Sequence, residues 1–178
     1  MHRLGLLLCF LLAACATTHS TTPREYLDEQ TAATIKVVAD PWIFSRERTS
    51  SAVDTHDYLN IYAIDVNRMG EHRQYLAVLK AWPENSASST LELTTQDGTI
   101  TLAPTSQSAR ELGIAQPIAS AFAYDATWRY FPIDKEVIAK LGRSPDLRAA
   151  VTTSDTRVAY TMWRDGSAEM TELAAELQ

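Results

Sequence analysis

The chain has 178 residues, of which 46% are hydrophobic and 21% are charged. This balance is typical of one globular domain and excludes a mainly disordered chain, because four Trp and seven Tyr supply apolar surface that offsets chain entropy. Lys and Arg number 16 against 22 Asp and Glu, so the formal net charge is −6. An acidic chain without a basic cluster is not expected to bind nucleic acid, whose affinity depends mainly on Lys and Arg contacts to phosphates.

The first residues have the pattern of a targeting segment. Arg3 supplies a positive charge near the start, and residues 4–14 are apolar except for Gly5. This run is shorter than the roughly 20 residues that a membrane-spanning helix needs. Residues 1–14 are therefore predicted to be a signal peptide that is removed, and they take no part in the fold predictions.

The end of this run, Leu12-Ala13-Ala14-Cys15, resembles the lipobox, the processing signal of bacterial lipoproteins. The resemblance covers the targeting segment only. It implies cleavage before Cys15 and a covalent lipid on Cys15, whose acyl chains would anchor the protein in a membrane. Ala16, where lipoproteins retained in the inner membrane usually carry Asp, implies sorting to the outer membrane. The alternative is cleavage after Ala16 by the ordinary signal peptidase, which would release a soluble periplasmic protein.

The cysteine content limits the chemistry of the mature domain. Cys9 leaves with the signal peptide and Cys15 is assigned to the lipid, so no thiol remains. This excludes a disulfide, a cysteine nucleophile and a thiolate metal site. No cofactor is predicted apart from the covalent lipid at Cys15.

The rest of the chain is predicted to contain a tether and one domain. Residues 16–23 are small and polar and have no apolar periodicity, which is typical of a flexible linker. Residues 15–32 are assigned to the lipidated cysteine and this tether, with a short helical turn considered for residues 24–31. Residues 33–178 are predicted to form a single β-rich globular domain.

From Ala33 onward the dominant hydrophobic period is two, which is typical of half-buried strands. Residues 58–66 and 75–82 are apolar on both faces, which predicts two central strands joined by a hairpin loop at residues 67–71. A second hairpin is predicted to turn at Asp97-Gly98, pairing Gln96 with Thr99 and Leu93 with Leu102. Another hairpin joins residues 147–153 to residues 157–163. A further long strand is predicted through five evenly spaced residues: Ile118, Phe122, Tyr124, Trp128 and Tyr130.

Two helices are expected. Asp134 is predicted to cap a short helix near 134–141 that ends at Gly142. A C-terminal helix near 167–177 is predicted to begin with Ser167 as its N-cap and to need a sheet to cover its apolar stripe, which consists of Met170, Leu173, Ala174 and Leu177. The elements together predict a mainly β fold, an antiparallel β-sandwich or partly open β-barrel with two accessory helices.

The densest polar cluster contains Asp54, His56 and Asp57. Carboxylates and imidazole suit zinc or another divalent ion, so these three residues are the candidate metal ligands. The alternative is a solvated loop that leads into a strand. His72 is not expected to join them, because the hairpin pairs it near Asn67, roughly 30 Å along the strand from His56. No nucleophile elbow or phosphate loop is present, so no catalytic residue is predicted.

The aromatic residues offer a candidate binding surface. Most stand at strand spacing and are expected in the core, but Trp42 and Trp163 lie beside charged segments and are predicted to be exposed. Arg129 and Arg164 each follow a tryptophan and are candidates to stack or pair at the rim of an interface.

These features predict a membrane-anchored, non-enzymatic accessory or protein-binding module of the cell envelope. It would contact the membrane through acyl chains and bind another envelope protein. Two alternatives stay open: a periplasmic binder of a glycan, a peptide or a small ligand, and a hydrolase that uses a metal.

Overall fold

The computed structural model describes residues 22–47, 56–82, 89–120, 126–154 and 156–177. Within these ranges the chain forms ten strands and three helices, and no helix among them is long and apolar enough to cross a membrane. The predicted mainly β fold is confirmed. The elements in chain order are β1 (Arg24–Asp28), β2 (Ala33–Val37), β3 (Trp42–Glu47), β4 (His56–Arg68), β5 (Glu71–Ala81), β6 (Thr90–Thr95), β7 (Gly98–Leu102), α1 (Ala109–Leu112), β8 (Ala126–Pro132), α2 (Lys135–Gly142), β9 (Arg148–Thr152), β10 (Arg157–Arg164) and α3 (Ser167–Glu176).

The strands form one antiparallel sheet that does not close into a barrel. Its order is β1-β2-β4-β3-β10-β9-β6-β7, and β5 followed by β8 continues from the other edge of β4. β4 is the centre, because one edge pairs with β5 and the other pairs with β2 and β3 in succession. A single buried cluster includes Phe44 of β3 and Leu93 of β6, so both arms of the sheet share one core.

The apolar sequence of β4 is explained by burial on both faces. Leu59 and Ile61 point to one face, Ile64 and Val66 point to the other, and none of these four is more than 2% exposed. We call the side of Leu59 and Ile61, which α3 covers, the helix face. Strands covered on both faces read as nearly continuous apolar runs, as the sequence predicted for β4 and β5.

The C-terminal helix α3 covers the helix face. Met170 and Leu173 are fully buried, which confirms the predicted apolar stripe. Ser167 is the first helical residue and not the N-cap, and its hydroxyl accepts a 3.0 Å hydrogen bond from the indole of Trp42. The N-cap is Gly166, where a Cβ would lie 2.7 Å from the carbonyl oxygen of Asp40. The helix therefore begins in close contact with the connection between β2 and β3.

Gly142 is the last residue of α2, so the helix ends where the sequence predicted, and the C-cap is Arg143. A Cβ at this position would stand 2.7 Å from Oγ1 of Thr171 and 3.2 Å from its backbone nitrogen. The glycine therefore permits α2 and α3 to approach each other closely. Asp134 is the N-cap residue as predicted, although its side chain makes no capping hydrogen bond.

Arg24–Asp28 forms the edge strand β1, where the sequence predicted a tether or a helical turn. All five residues pair with β2, but most of their side chains are exposed, so apolar alternation is weak. Asp28 is the exception because its carboxylate is fully buried and accepts hydrogen bonds from the N–H groups of Ala115 and Gln116 at 2.6 and 2.9 Å. Burial raises the pKa of Asp28, but these N–H groups outweigh that effect and lower it below its ordinary value.

The hairpin between β4 and β5 agrees with the prediction. Its turn consists of Met69 and Gly70, both with positive φ, and His72 pairs with Asn67. The hairpin between β9 and β10 is also confirmed, since Thr152 pairs with Arg157.

The predicted register of the hairpin between β6 and β7 is wrong. Leu93 pairs with Ile100 and not with Leu102, and the turn consists of Gln96 and Asp97. The predicted type I′ turn would need positive φ at both Asp97 and Gly98, and of these two residues only Gly98 has it. The error amounts to two residues, which leaves Leu91 and Leu93 on the buried face.

β8 is shorter than the strand predicted from the aromatic spacing. It spans Ala126–Pro132, so Trp128 and Tyr130 lie in it. Ile118 is buried but belongs to the segment that follows α1, and Phe122 and Tyr124 lie outside the described residues.

Candidate binding surface

A β-bulge in β10 places Trp163 on the surface. Met162 faces Phe44 of β3 and Arg164 faces Ile43, so two residues of β10 oppose a single residue of β3 at this point. An extra residue of this kind bends the strand and changes the direction of a side chain. Trp163 is 62% exposed, in agreement with the sequence prediction.

His56 and Tyr58 lie next to Trp163 and form with it what we call the aromatic cluster. The ring centroid of Trp163 is 5.7 Å from that of His56 and 6.3 Å from that of Tyr58. The rings of His56 and Tyr58 are stacked with centroids 6.0 Å apart. These separations are typical of interacting aromatic pairs, so the three side chains hold one another in place. Arg164, the next residue along β10 after Trp163, is also exposed.

Trp42 does not belong to this surface, and its predicted exposure is wrong. The residue is 0% exposed and belongs to the hydrophobic core. Its indole N–H is satisfied by Ser167 of α3, 125 residues further along the chain. The charged neighbours in sequence, Asp40 and Arg46, do not indicate that Trp42 is buried, because the helix that covers this strand end lies far away in the sequence.

Arg129 is also remote from the aromatic cluster. It lies on β8, and β3, β4 and β5 separate that strand from β10. Its guanidinium carbon stands 4.0 Å from the ring centroid of Trp82, a cation–π arrangement. Burial lowers the pKa of Arg129. Of the four residues predicted as one surface, the structure brings together Trp163 and Arg164.

Asp57 is the centre of a buried polar network. Its carboxylate accepts hydrogen bonds from Arg46 at 2.9 Å, from Lys80 at 3.0 and 3.1 Å and from the hydroxyl of Tyr160 at 2.8 Å. Asp57 and Lys80 are 4% and 5% exposed. Burial raises the pKa of Asp57, but the positive charge of Lys80 and the donated hydrogen bonds lower it below its ordinary value. Burial and, to a lesser extent, the same carboxylate raise the pKa of Tyr160.

This geometry argues against the metal site predicted at Asp54, His56 and Asp57. His56 and Asp57 are consecutive residues of β4, so their side chains point to opposite faces of the sheet. The carboxylate of Asp57 is engaged by two cations and a hydroxyl. Asp54 lies outside the described residues, and within the described ones no group of three or more His, Cys, Asp and Glu side chains is arranged to hold a metal.

A second polar pair, which was not predicted from the sequence, lies on β4 and β5. Nδ1 of His72 lies 2.7 Å from Oδ2 of Asp65, and the other oxygen of Asp65 accepts a 2.7 Å hydrogen bond from Gln74. The predicted hairpin register contained the signal, because it places the three residues on one face of neighbouring strands. Lys36 and Glu176, themselves 3.0 Å apart, line the same surface pocket as His72.

A groove of about 470 Å³ lies beside β8. Trp128, Arg129 and Tyr130 form one side, and residues between 104 and 117 form the other. The groove is therefore bounded by the edge of the sheet and by the segment that contains α1.

In comparisons with known proteins, no family model matches the chain, and neither a curated protein nor a solved structure matches it significantly.

Proposed function

We propose that this chain is a lipid-anchored accessory protein of the bacterial envelope, with its lipid on Cys15, that binds another envelope protein through the aromatic cluster. Arg164 lies at the rim of the proposed interface. The protein acts by binding and not by catalysis, and it is attached to the outer membrane.

The observation that carries the proposal is the exposure of Trp163. A tryptophan that is 62% exposed leaves a large apolar area in water, and its removal from water on binding is favourable. Trp, Tyr and Arg are the residue types most enriched among the residues that dominate binding energy. The mutual contacts of Trp163, His56 and Tyr58 restrict their side chains before binding, which reduces the entropy lost on association.

A lipid anchor on Cys15 would favour a partner that is held at the same membrane. The lipobox ends at Cys15, and the folded domain begins with β1 at Arg24. A tether of this length reaches at most about 30 Å when it is fully extended. A lipid on Cys15 would thus keep the domain close to a membrane surface and raise the local concentration of partners held there.

The proposal is tested by site-specific photo-crosslinking in intact cells. A photoreactive amino acid at position 164 probes the aromatic cluster, and the same amino acid at position 69 serves as the matched control, since Met69 is fully exposed at a hairpin tip. We expect one envelope protein to be captured from position 164 and not from position 69. That product should disappear when Trp163→Ala is added and persist when Leu27→Ala is added, because Leu27 is 58% exposed on a distant strand.

Identical products from positions 164 and 69 would contradict the proposal. Capture from position 164 that is unchanged by Trp163→Ala would also contradict it, because the partner would then not depend on the aromatic cluster.

A further inference from the structure

β8 is an edge strand whose outer backbone groups can be identified. It pairs with β5 alone among the described strands. Just after β8, the N–H of Ile133 donates to the carbonyl of Gln74 on the β5 side. On the opposite side, the carbonyl of Tyr130 accepts a 2.8 Å hydrogen bond from the N–H of Thr105. Because this direction alternates along an antiparallel strand, the N–H and C=O of Trp128 also point away from β5.

These outward groups border the groove of about 470 Å³, a volume within the usual range of ligand sites. The opposite wall includes Ala115 and Gln116, whose N–H groups are held by the buried carboxylate of Asp28. The wall is therefore attached to β1, a strand that β2, β4 and β5 separate from β8. These two hydrogen bonds fix the position of the wall relative to the sheet.

The lining favours a particular kind of occupant. Apolar and aromatic side chains such as Ile114, Trp128 and Tyr130 predominate, and none of the described residues that line the groove is acidic although the chain carries a net charge of −6. An added strand offers backbone N–H and C=O groups to a sheet edge and directs alternate side chains into the surface beside it.

We propose that the groove binds an extended, apolar-rich peptide segment of another protein, which pairs with the outer edge of β8 as an added strand. About four residues of the segment, at roughly 3.3 Å each, cover the distance from Ala126 to Tyr130. The pairing continues along β8 from the hydrogen bond that Thr105 already makes. Three strands, or about 19 Å of sheet, separate β8 from β10, so this site is distinct from the aromatic cluster and does not depend on the function proposed above.

The test uses the full chain purified in detergent and a phage-displayed library of random linear peptides. An enriched peptide is synthesised with a fluorescent label, and its affinity is measured by anisotropy. Gln116→Trp fills the groove from an exposed position on its wall, and Gln116→Ala is the matched control that leaves the groove open. We expect Gln116→Trp to weaken binding about tenfold or more and Gln116→Ala to change it little.

The backbone pairing is tested with the same peptide carrying N-methyl groups. Methylation of alternate amides, those that face β8, should weaken binding about tenfold, while methylation of the intervening amides should have little effect. Bound peptide should also slow hydrogen exchange at the amide of Trp128. The proposal is overturned if no peptide is enriched, if methylation at either set of amides has the same effect, or if Trp163→Ala and not Gln116→Trp abolishes binding. Binding of envelope glycan fragments in place of peptides would overturn it as well.

Discussion

The hydroxyl of Tyr160 donates a 2.8 Å hydrogen bond to the carboxylate of Asp57, two strands away across β3. Tyr160 is also the residue at which β10 changes partners, since it pairs with Ala149 of β9 while Thr161 pairs with Ser45 of β3. The bond therefore connects the central strand to the point where the two arms of the sheet meet.

This network predicts unequal effects of two substitutions. Tyr160→Phe should lower the free energy of unfolding by about 1–2 kcal/mol, because the buried carboxylate loses one of its donors. Asp57→Asn should lower it by about 3 kcal/mol, because the buried Lys80 then loses the carboxylate that it contacts. Urea unfolding measures both values. Asp97→Asn is the control, since Asp97 forms an exposed ion pair with Lys140 and should contribute less than about 1 kcal/mol. Equal losses at positions 57 and 97 would contradict this interpretation.

Asp28 and Asp57 predict how stability depends on pH. Both have pKa values below their ordinary ones, so the folded state binds fewer protons than the unfolded chain near the unfolded Asp pKa of about 3.9. Their contribution is complete above about pH 5 and is lost as the pH falls through the lower native pKa values. Unfolding free energies measured between pH 7 and pH 2 should show this fall. Asp28→Asn should be less stable at neutral pH and show a shallower acid-induced loss; an unchanged slope would exclude Asp28 as a cause.

Gly142→Ala should destabilise the fold although alanine is the better helix former. Alanine in a helix contributes about 1 kcal/mol more than glycine. A Cβ at position 142 would press against both the side chain and the backbone of Thr171, and such overpacking costs about 1–3 kcal/mol. The added change Thr171→Ala removes the nearest atom and should restore part of the loss. Thermal unfolding tests this, and a stabilised Gly142→Ala variant would show that α2 and α3 move apart freely.

The two tryptophans predicted as one surface should behave differently. Trp42→Ala should lower the free energy of unfolding by about 3–5 kcal/mol, because it empties a fully buried site and removes the hydrogen bond to Ser167. Trp163→Ala should change it by about 0.5 kcal/mol or less. Denaturant unfolding of the two purified variants distinguishes them. A large loss for Trp163→Ala would mean that the aromatic cluster contributes to folding, and binding experiments with that variant would lose their meaning.

The anchor assignment is tested by a pair of cysteine substitutions. Cys15→Ser should abolish lipid attachment and release the protein from washed membranes, because several acyl chains each contribute about 0.8 kcal/mol per buried methylene. Cys9→Ser is the matched control. Cys9 lies within the signal peptide predicted from the sequence, so its substitution should leave anchoring unchanged. Cell fractionation and the mass of the mature N-terminus measure the outcome. Retention of Cys15→Ser with the membranes would contradict the anchor.

The sequence predicted those features that depend on near neighbours. The hairpin at Met69 and Gly70 follows from local turn chemistry, and burial on both faces of β4 follows from its unbroken apolar run. The stripe on α3 follows from helical periodicity. These signals lie within a few residues of one another, so one sequence contains them.

Contacts between distant segments could not be predicted in the same way. The partner of Trp42 is 125 residues away, and that of Asp57 in β10 is 103 residues away. Charges near Trp42 in the sequence indicate a strand end, but only the packed structure shows that α3 covers it. The separation of His56 from Asp57 could have been predicted, because consecutive strand residues face opposite sides; it was missed because the segment was interpreted as a loop.

Lys36 on β2 joins the first strand to the last helix. Its ammonium lies 3.4 Å from Glu25 of β1 and 3.0 Å from Glu176 near the end of α3. These contacts and the burial of Met170 and Leu173 mean that the helix face stays uncovered until the residues of α3, which follow every described strand, have been synthesised. A nascent chain that lacks them exposes a broad apolar surface, the kind that chaperones bind and that aggregates when unprotected. Folding of this domain is therefore completed only after α3 has been made, because contacts such as that between Lys36 and Glu176 join residues 140 positions apart.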